Sequence, residues 1–195
     1  MTGKTDDRAA WRAACSFGEL CELAARFVEG RSSFFPGWLA STMDEESDAI
    51  AAELAALNRA GFLTVASQPA AGPHEGHDGR TWRRRAFVLG FCRAETAARV
   101  AERCVSRGLA VATFPLGSEE PGTPEPVGMR GDEAYLFAGA SARKTELELF
   151  APWISEEARA ELARASYVSV HDPVWGREDA LWEALSELGS DPTDS

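Results

Sequence analysis

Ser67, Gln68, His171, Asp172 and Trp175 are the side chains whose types and surroundings can do chemistry together. They supply a hydroxyl, an amide, an imidazole, a carboxylate and an indole, enough for a polar pocket and in principle for acid–base work. Each group directly follows an apolar run that reads as a strand. Residues 62–66 lead into Ser67-Gln68-Pro69, and 167–170 lead into His171-Asp172-Pro173-Val174-Trp175. In open sheets with parallel strands, ligands lie beyond the carboxyl ends of those strands. Two strands pointing the same way therefore bring all five residues to one rim. The plainer alternative is that Asp172 starts a turn before Pro173 and Ser67 caps its own turn. Ser67 lacks a G-x-S-x-G setting, so no nucleophile elbow is expected.

Arginines form the second candidate group. On a strand, Arg83 and Arg85 share one face and Arg84 takes the other. Guanidinium groups bind carboxylates and phosphates in forked pairs, so Arg83 and Arg85 are candidate anion ligands. Ion pairing with the acidic C-terminal half is the structural alternative. His74, His77 and Asp78 have donor types that suit zinc. Gly76 and the Pro-Gly context place them on a solvated loop with no obvious remaining ligand, so no metal is expected. Cys15, Cys21, Cys92 and Cys104 are scattered without a CxxC pair and read as reduced, buried thiols. An activated thiol at Cys92 is the minor alternative.

The elements that must position these groups follow from periodicity. Residues 1–7 read as a loose tail, 8–189 as one globular domain and 190–195 as a second tail. Ser16-Phe17-Gly18-Glu19 has capping-box spacing, and Phe17, Leu20, Cys21, Ala24, Phe27 and Val28 form one helical stripe ending at Gly30. An aromatic loop with Phe34, Phe35 and Trp38 covers a core edge or lines a pocket. Acids from Asp44 to Asp48 open a second helix that ends at Gly61. The run 82–92, helix 95–107, Gly108 and strand 109–114 together predict a parallel βαβ unit. Residues 67–81 and 115–128 read as loops, 134–138 and 146–150 as a hairpin, 155–162 and 178–188 as helices. The fold class expected is α/β or α+β: a mixed sheet of about six strands with a parallel βαβ core and about five helices.

Composition limits what the protein does. Apolar residues make up 45% of 195, enough for a sizeable core. The net charge of −11 argues against general nucleic-acid binding through phosphates. There is no apolar run long enough to cross a membrane, and the polar, acid-bearing N-terminus lacks a secretory layout, which predicts a cytoplasmic protein. Charge is unevenly spread: eight arginines and two acids lie between Arg80 and Arg107, and twelve acids and three arginines between Thr145 and Ser195.

The pattern Leu57-Asn58-Arg59-Ala60-Gly61-Phe62, with Thr64, Ser67-Gln68-Pro69 and Arg85-Ala86-Phe87-Val88-Leu89-Gly90-Phe91, resembles an uncharacterised family of actinobacterial proteins, a domain of unknown function. Members often carry Gly after Ser-Gln-Pro, where this chain has Ala70. The resemblance implies no activity, cofactor or catalytic residue. Three functions stay open. One is an accessory protein that binds a small molecule or a protein partner through the 67–82 region. Another is a small hydrolase or transferase acting on an anionic or nucleotide-like substrate. The last is an inhibitor or immunity-type protein that sets its acidic face against a basic partner.

Overall fold

Ser16 starts the first long helix as its spacing predicts. Its Oγ accepts the Glu19 N–H at 3.3 Å, and the Glu19 carboxylate accepts the Ser16 N–H at 3.0 Å. The computed structural model describes residues 3–189. In chain order these form α1 Gly3–Ala13, α2 Phe17–Val28, a 3-10 turn Glu45–Ile50, α3 Ala51–Arg59, β1 Phe62–Gln68, β2 Ala71–Glu75, β3 Thr81–Arg84, β4 Phe87–Cys92, α4 Ala94–Ser106, β5 Ala110–Phe114, β6 Gly122–Arg130, β7 Glu133–Ala140, α5 Arg143–Phe150, α6 Glu156–Arg164, β8 Ser166–His171 and α7 Ala180–Ser186, with a final 3-10 turn Glu187–Gly189. The described part of the expected N-terminal tail is helical from Gly3, and the tail expected over 190–195 lies outside the described residues.

The architecture is α+β, with two four-stranded sheets in the orders β1-β4-β8-β5 and β2-β3-β6-β7. Every strand pairing is antiparallel. This corrects the expected single sheet of about six strands with a parallel core. β4 and β5 do point the same way, as a β-helix-β crossover requires, but β8 fills the slot between them and runs against both. An antiparallel partner satisfies both ladders equally well, and the sequence of the crossover alone does not show it. The continuous apolar run of β4 still reflects burial on both faces.

The first sheet is the spine. One face packs against α3, α4 and α7 through Phe62, Val88, Val168, Val170, Leu181 and Leu185. The other packs against α1, α2 and α6 through Leu63, Phe91, Tyr167, Leu20 and Leu162. The aromatic loop closes this second core. Trp11, Phe35 and Phe150 pack edge to face with ring centroids 5.4–5.8 Å apart, and Trp11 Nε1–H donates to the Phe34 carbonyl at 3.2 Å.

Several expected elements differ. Residues 146–150 belong to α5, not to a hairpin strand. Arg143 at its start bonds the carbonyls of Ala163 and Ala165 at the end of α6, where a cation suits the helix dipole. β2, β3 and β6 occupy segments read as loop or as one longer strand. Pro124 and Pro126 are accommodated in β6 by register shifts against β7, since a bulge frees the positions that lack an N–H. In α4, Val100 faces the core while Val105 is 61% exposed.

The motif residues that carried the family resemblance mostly hold the fold. Asn58 is fully buried. Its amide donates to Leu54 O at 2.7 Å and Thr64 Oγ1 at 2.8 Å, and its carbonyl accepts Thr64 N–H at 3.0 Å, tying α3 to β1. Arg59 pairs with Glu22 on α2 and with Glu29 just beyond its end, at 2.9 and 2.6 Å.

Candidate functional site

A single run of chain, 81–92, passes from the second sheet to the first, and the candidate site lies at that crossing. β3 ends at Arg84 in the second sheet and β4 begins at Phe87 in the first. Arg85 N–H donates to Val127 O and Asp172 N–H donates to Ala86 O, each at 2.9 Å, so the two residues between the strands hold β6 on one side and the end of β8 on the other. β1 and β8 both run against β4 and therefore in one direction. Gln68 and His171 both lie opposite Phe87, at the same edge of the sheet.

Beyond that edge, the turn after β8 is built by Asp172. Its carboxylate is fully buried, accepts Val174 N–H at 2.8 Å and takes the Arg177 guanidinium at 2.5 and 2.7 Å. This is the turn-starting role open to an Asp before Pro, with an ion pair added. Gly176 N–H reaches Arg84 O at 3.2 Å. Gly176 has φ +71° and sits so close to Gly72 that an added Cβ would be 3.0 Å from its Cα. The turn is thus fixed against β2 and β3, which places Trp175 under the arginines. The Arg83 and Arg85 guanidinium carbons lie 4.7 and 4.4 Å from its ring centre.

Arg85 is further held by Pro126 O at 3.0 Å and faces Glu125 at 3.9 Å. Burial pushes its pKa down, against the pull of Glu125, and the Arg83 charge adds to the lowering. Arg83 has no carboxylate partner among the described residues. Gln68 contributes an amide 3.5 Å from Arg85 O. His171 is 2% exposed, with Nε2 3.3 Å from Glu125 Oε2. A carboxylate only accepts, so Nε2 carries the proton and Nδ1 presents its lone pair. Nδ1 is buried with no partner, as is Arg85 Nε.

Burial lowers the His171 pKa from its ordinary 6.5, outweighing the opposing pull of Glu125. Between the folded and unfolded values the unfolded chain binds the extra proton, so stability rises with pH in that window. Stability from this group is fully present above 6.5 and is lost as the pH falls through the lower folded value. Urea midpoints measured from pH 7.5 down to 5 are expected to fall less steeply in His171→Gln than in the parent. Parallel slopes would contradict a buried neutral imidazole.

Gln68, Arg83, Arg85, His171, Asp172 and Trp175 thus gather at one seam. Ser67 does not join them. It pairs with Val88, which pairs with Val170, so it projects to the face opposite Gln68, Phe87 and His171. It borders instead a small cavity of about 60 Å³ with Phe27, Phe35, Trp38 and Met43. Ser67 and His171 are therefore not paired. Cys92 is fully buried and its thiol is pushed up to about 12 by burial, the reverse of activation. Asp78 is taken by Trp82 Nε1–H at 2.9 Å and by Arg130. Two members of the seam were not expected. Glu125 lies between prolines in what read as loop, whereas Arg177, five residues after Asp172, was visible as an opposite charge at turn distance.

No helix among the described residues is long and apolar enough to cross a membrane. A search of curated proteins finds no match. Residues 6–189 match the model of a family described as a domain of unknown function (DUF6919), and the chain belongs to that family.

Proposed function

We propose that the protein is a non-catalytic binding protein whose seam, built from Arg83, Arg85 and Trp175 beside Gln68 and His171, takes a small anionic molecule with a carboxylate or phosphate group. The observation that carries this reading is the pair of guanidinium groups over one indole. Two like charges repel, and among the described residues only Arg85 has a carboxylate near it. An anion between them relieves the repulsion and meets the unpartnered N–H groups of Arg83 in a forked geometry. Trp175 supplies an apolar wall that suits a ring or sugar next to the charged group. Binding is favoured over catalysis because the imidazole is buried against Glu125 and Ser67 faces away.

The acids of the C-terminal half that an inhibitor would present are partly engaged within the fold. Glu161 pairs with Arg93, and Glu187 with Arg103 and Arg107. A thermal-shift screen against nucleotides, sugar phosphates and dicarboxylates tests the anion reading. At least one of these is expected to raise Tm, since a ligand at 100 times its Kd stabilises by about 2.7 kcal/mol. Arg83→Ala should remove most of that shift while leaving the Tm of the free protein nearly unchanged. A shift retained in full by Arg83→Ala, or none from any anion, would reject the reading.

A further inference from the structure

The aromatic loop and β1 form a small cavity that the seam does not use. Phe27, Phe35, Trp38 and Met43 are its apolar walls, and the end of β1 is its floor. It is partly open to solvent and holds about 60 Å³. The walls are fixed in place: the Phe27 and Phe35 rings touch with centroids 5.5 Å apart, and Trp38 Nε1–H donates to Thr42 O at 3.1 Å. Apolar walls alone would be no more than a packing gap. Its polar groups set this cavity apart. Ser47 lines it and is 8% exposed. Among the described residues its Oγ has no hydrogen-bond partner, and that oxygen is not sealed off, so it keeps surface that a molecule in the cavity can touch. The half-buried Ser67, also on the lining, has an Oγ in the same condition. Asp44 stands at the rim, exposed and with no ion pair among the described residues. Ser47 N–H donates to Asp44 O at 2.8 Å, so one turn brings both residues to the opening. Buried hydroxyls normally find partners, and an unpaired one facing a cavity calls for a bound group.

We infer that this cavity binds the ammonium end of a small primary amine. The free polar groups on its lining are all oxygens: Thr64 Oγ1 is taken by the Asn58 amide, the Trp38 N–H is taken by Thr42, and no lining side chain is cationic. An ammonium has three N–H donors and no acceptor, which matches Ser47 Oγ, Ser67 Oγ and the Asp44 carboxylate one for one. The aromatic walls add attraction for the same charge. An anion would meet Asp44 with no cation to offset it, and a neutral alcohol would leave Asp44 unpaired. A cavity of about 150 Å³ holds benzene, so this one admits roughly two or three heavy atoms. The rest of the ligand then leaves through the opening past Trp38, which is 39% exposed. The site is independent of the anion seam, since Ser67 projects away from Gln68 and His171.

Two-dimensional NMR that follows the Trp38 indole N–H, assigned from Trp38→Phe, tests the inference at neutral pH with three probes. They are n-butylammonium, tetramethylammonium with the same charge and no N–H, and 1-butanol with the same chain and no charge. Butylammonium is expected to move the resonance saturably with a Kd of about 1 mM or below, the range open to so small a ligand. Tetramethylammonium and butanol should each bind roughly tenfold more weakly or worse, since one lacks the donors and the other the charge. Ser47→Ala should weaken butylammonium roughly tenfold, because it removes a hydrogen bond to a charged group. Asp44→Asn should weaken it about threefold, the smaller effect of an exposed carboxylate. If Ser47→Ala does not fold, as judged by its melting curve, Ser67→Ala takes its place with the same expectation. No saturable movement up to about 20 mM butylammonium would overturn the inference. So would equal affinity for tetramethylammonium, which would mean that the amine only answers the overall negative charge, or full affinity in the folded serine variant.

Discussion

Gly90→Val is expected to destabilise the protein by about 3 kcal/mol or more, the scale of forced overpacking in a well-packed core. Gly90 lies in the middle of β4, between β1 and β8. A Cβ there would sit 2.3 Å from Leu63 O and 2.5 Å from Phe62 Cε1. Backbone of a paired strand is the obstacle, so no side-chain rotation makes room. β1 must move away, and with it the Asn58–Thr64 link to α3. Urea unfolding followed by far-UV circular dichroism measures the loss. Gly18→Val is the control, since nothing stands within 4 Å of a Cβ at that position. Equal midpoints for the two variants would contradict the close approach of β1 to β4.

Asp172→Ala is expected to cost about 2–3 kcal/mol and to remove the anion response as well. Breaking a buried ion pair usually costs about 3–5 kcal/mol because the remaining charge is stranded. Here Arg177 is 38% exposed and can turn toward water, which places the cost below that range. The partly buried Val174 N–H contact is lost at the same time. Trp175 is placed by this turn, so its stacking with Arg83 and Arg85 should loosen. A double-mutant cycle with Arg177→Ala separates the ion pair from the turn. A coupling energy near zero would mean that the pair contributes nothing beyond solvation, and that the turn is held by its backbone bonds.

Local grammar in this sequence is read well, and pairing between distant segments is not. The capping box at Ser16 and Glu19, the glycine stops at Gly30, Gly61 and Gly108, and the helices read over 155–162 and 178–188 depend on neighbours within one or two turns. Long-range choices carry no such mark. Nothing in the apolar runs of β4 and β5 reveals that β8, more than fifty residues later, inserts between them. β2 and β6 are hidden by Pro73, Pro124 and Pro126, which normally argue against a strand and are tolerated here through register shifts. In α5 the alternation Thr-Glu-Leu-Glu-Leu imitates a strand, yet α5 buries chiefly Phe150.

The candidate site divides in the same way. That Arg83 and Arg85 share a face follows from the two-residue period of a strand. That the face meets Trp175 depends on the buried Asp172 turn and on Gly176 lying against Gly72, which are tertiary facts. Ser67 was misplaced because β1 is longer than its apolar run. Gln68 is its last residue, and the period of two then sends the serine to the other face.

The six tryptophan indole N–H resonances of the protein offer the most direct test of the anion seam. Two-dimensional NMR, with the Trp175 peak assigned from Trp175→Phe, would follow all of them during titration with the anion that gives the largest thermal shift. The Trp175 resonance should move saturably while that of Trp182 stays in place, and the movement should vanish in Arg83→Ala. Saturable shifts at other indoles with Trp175 unmoved would contradict the proposed site.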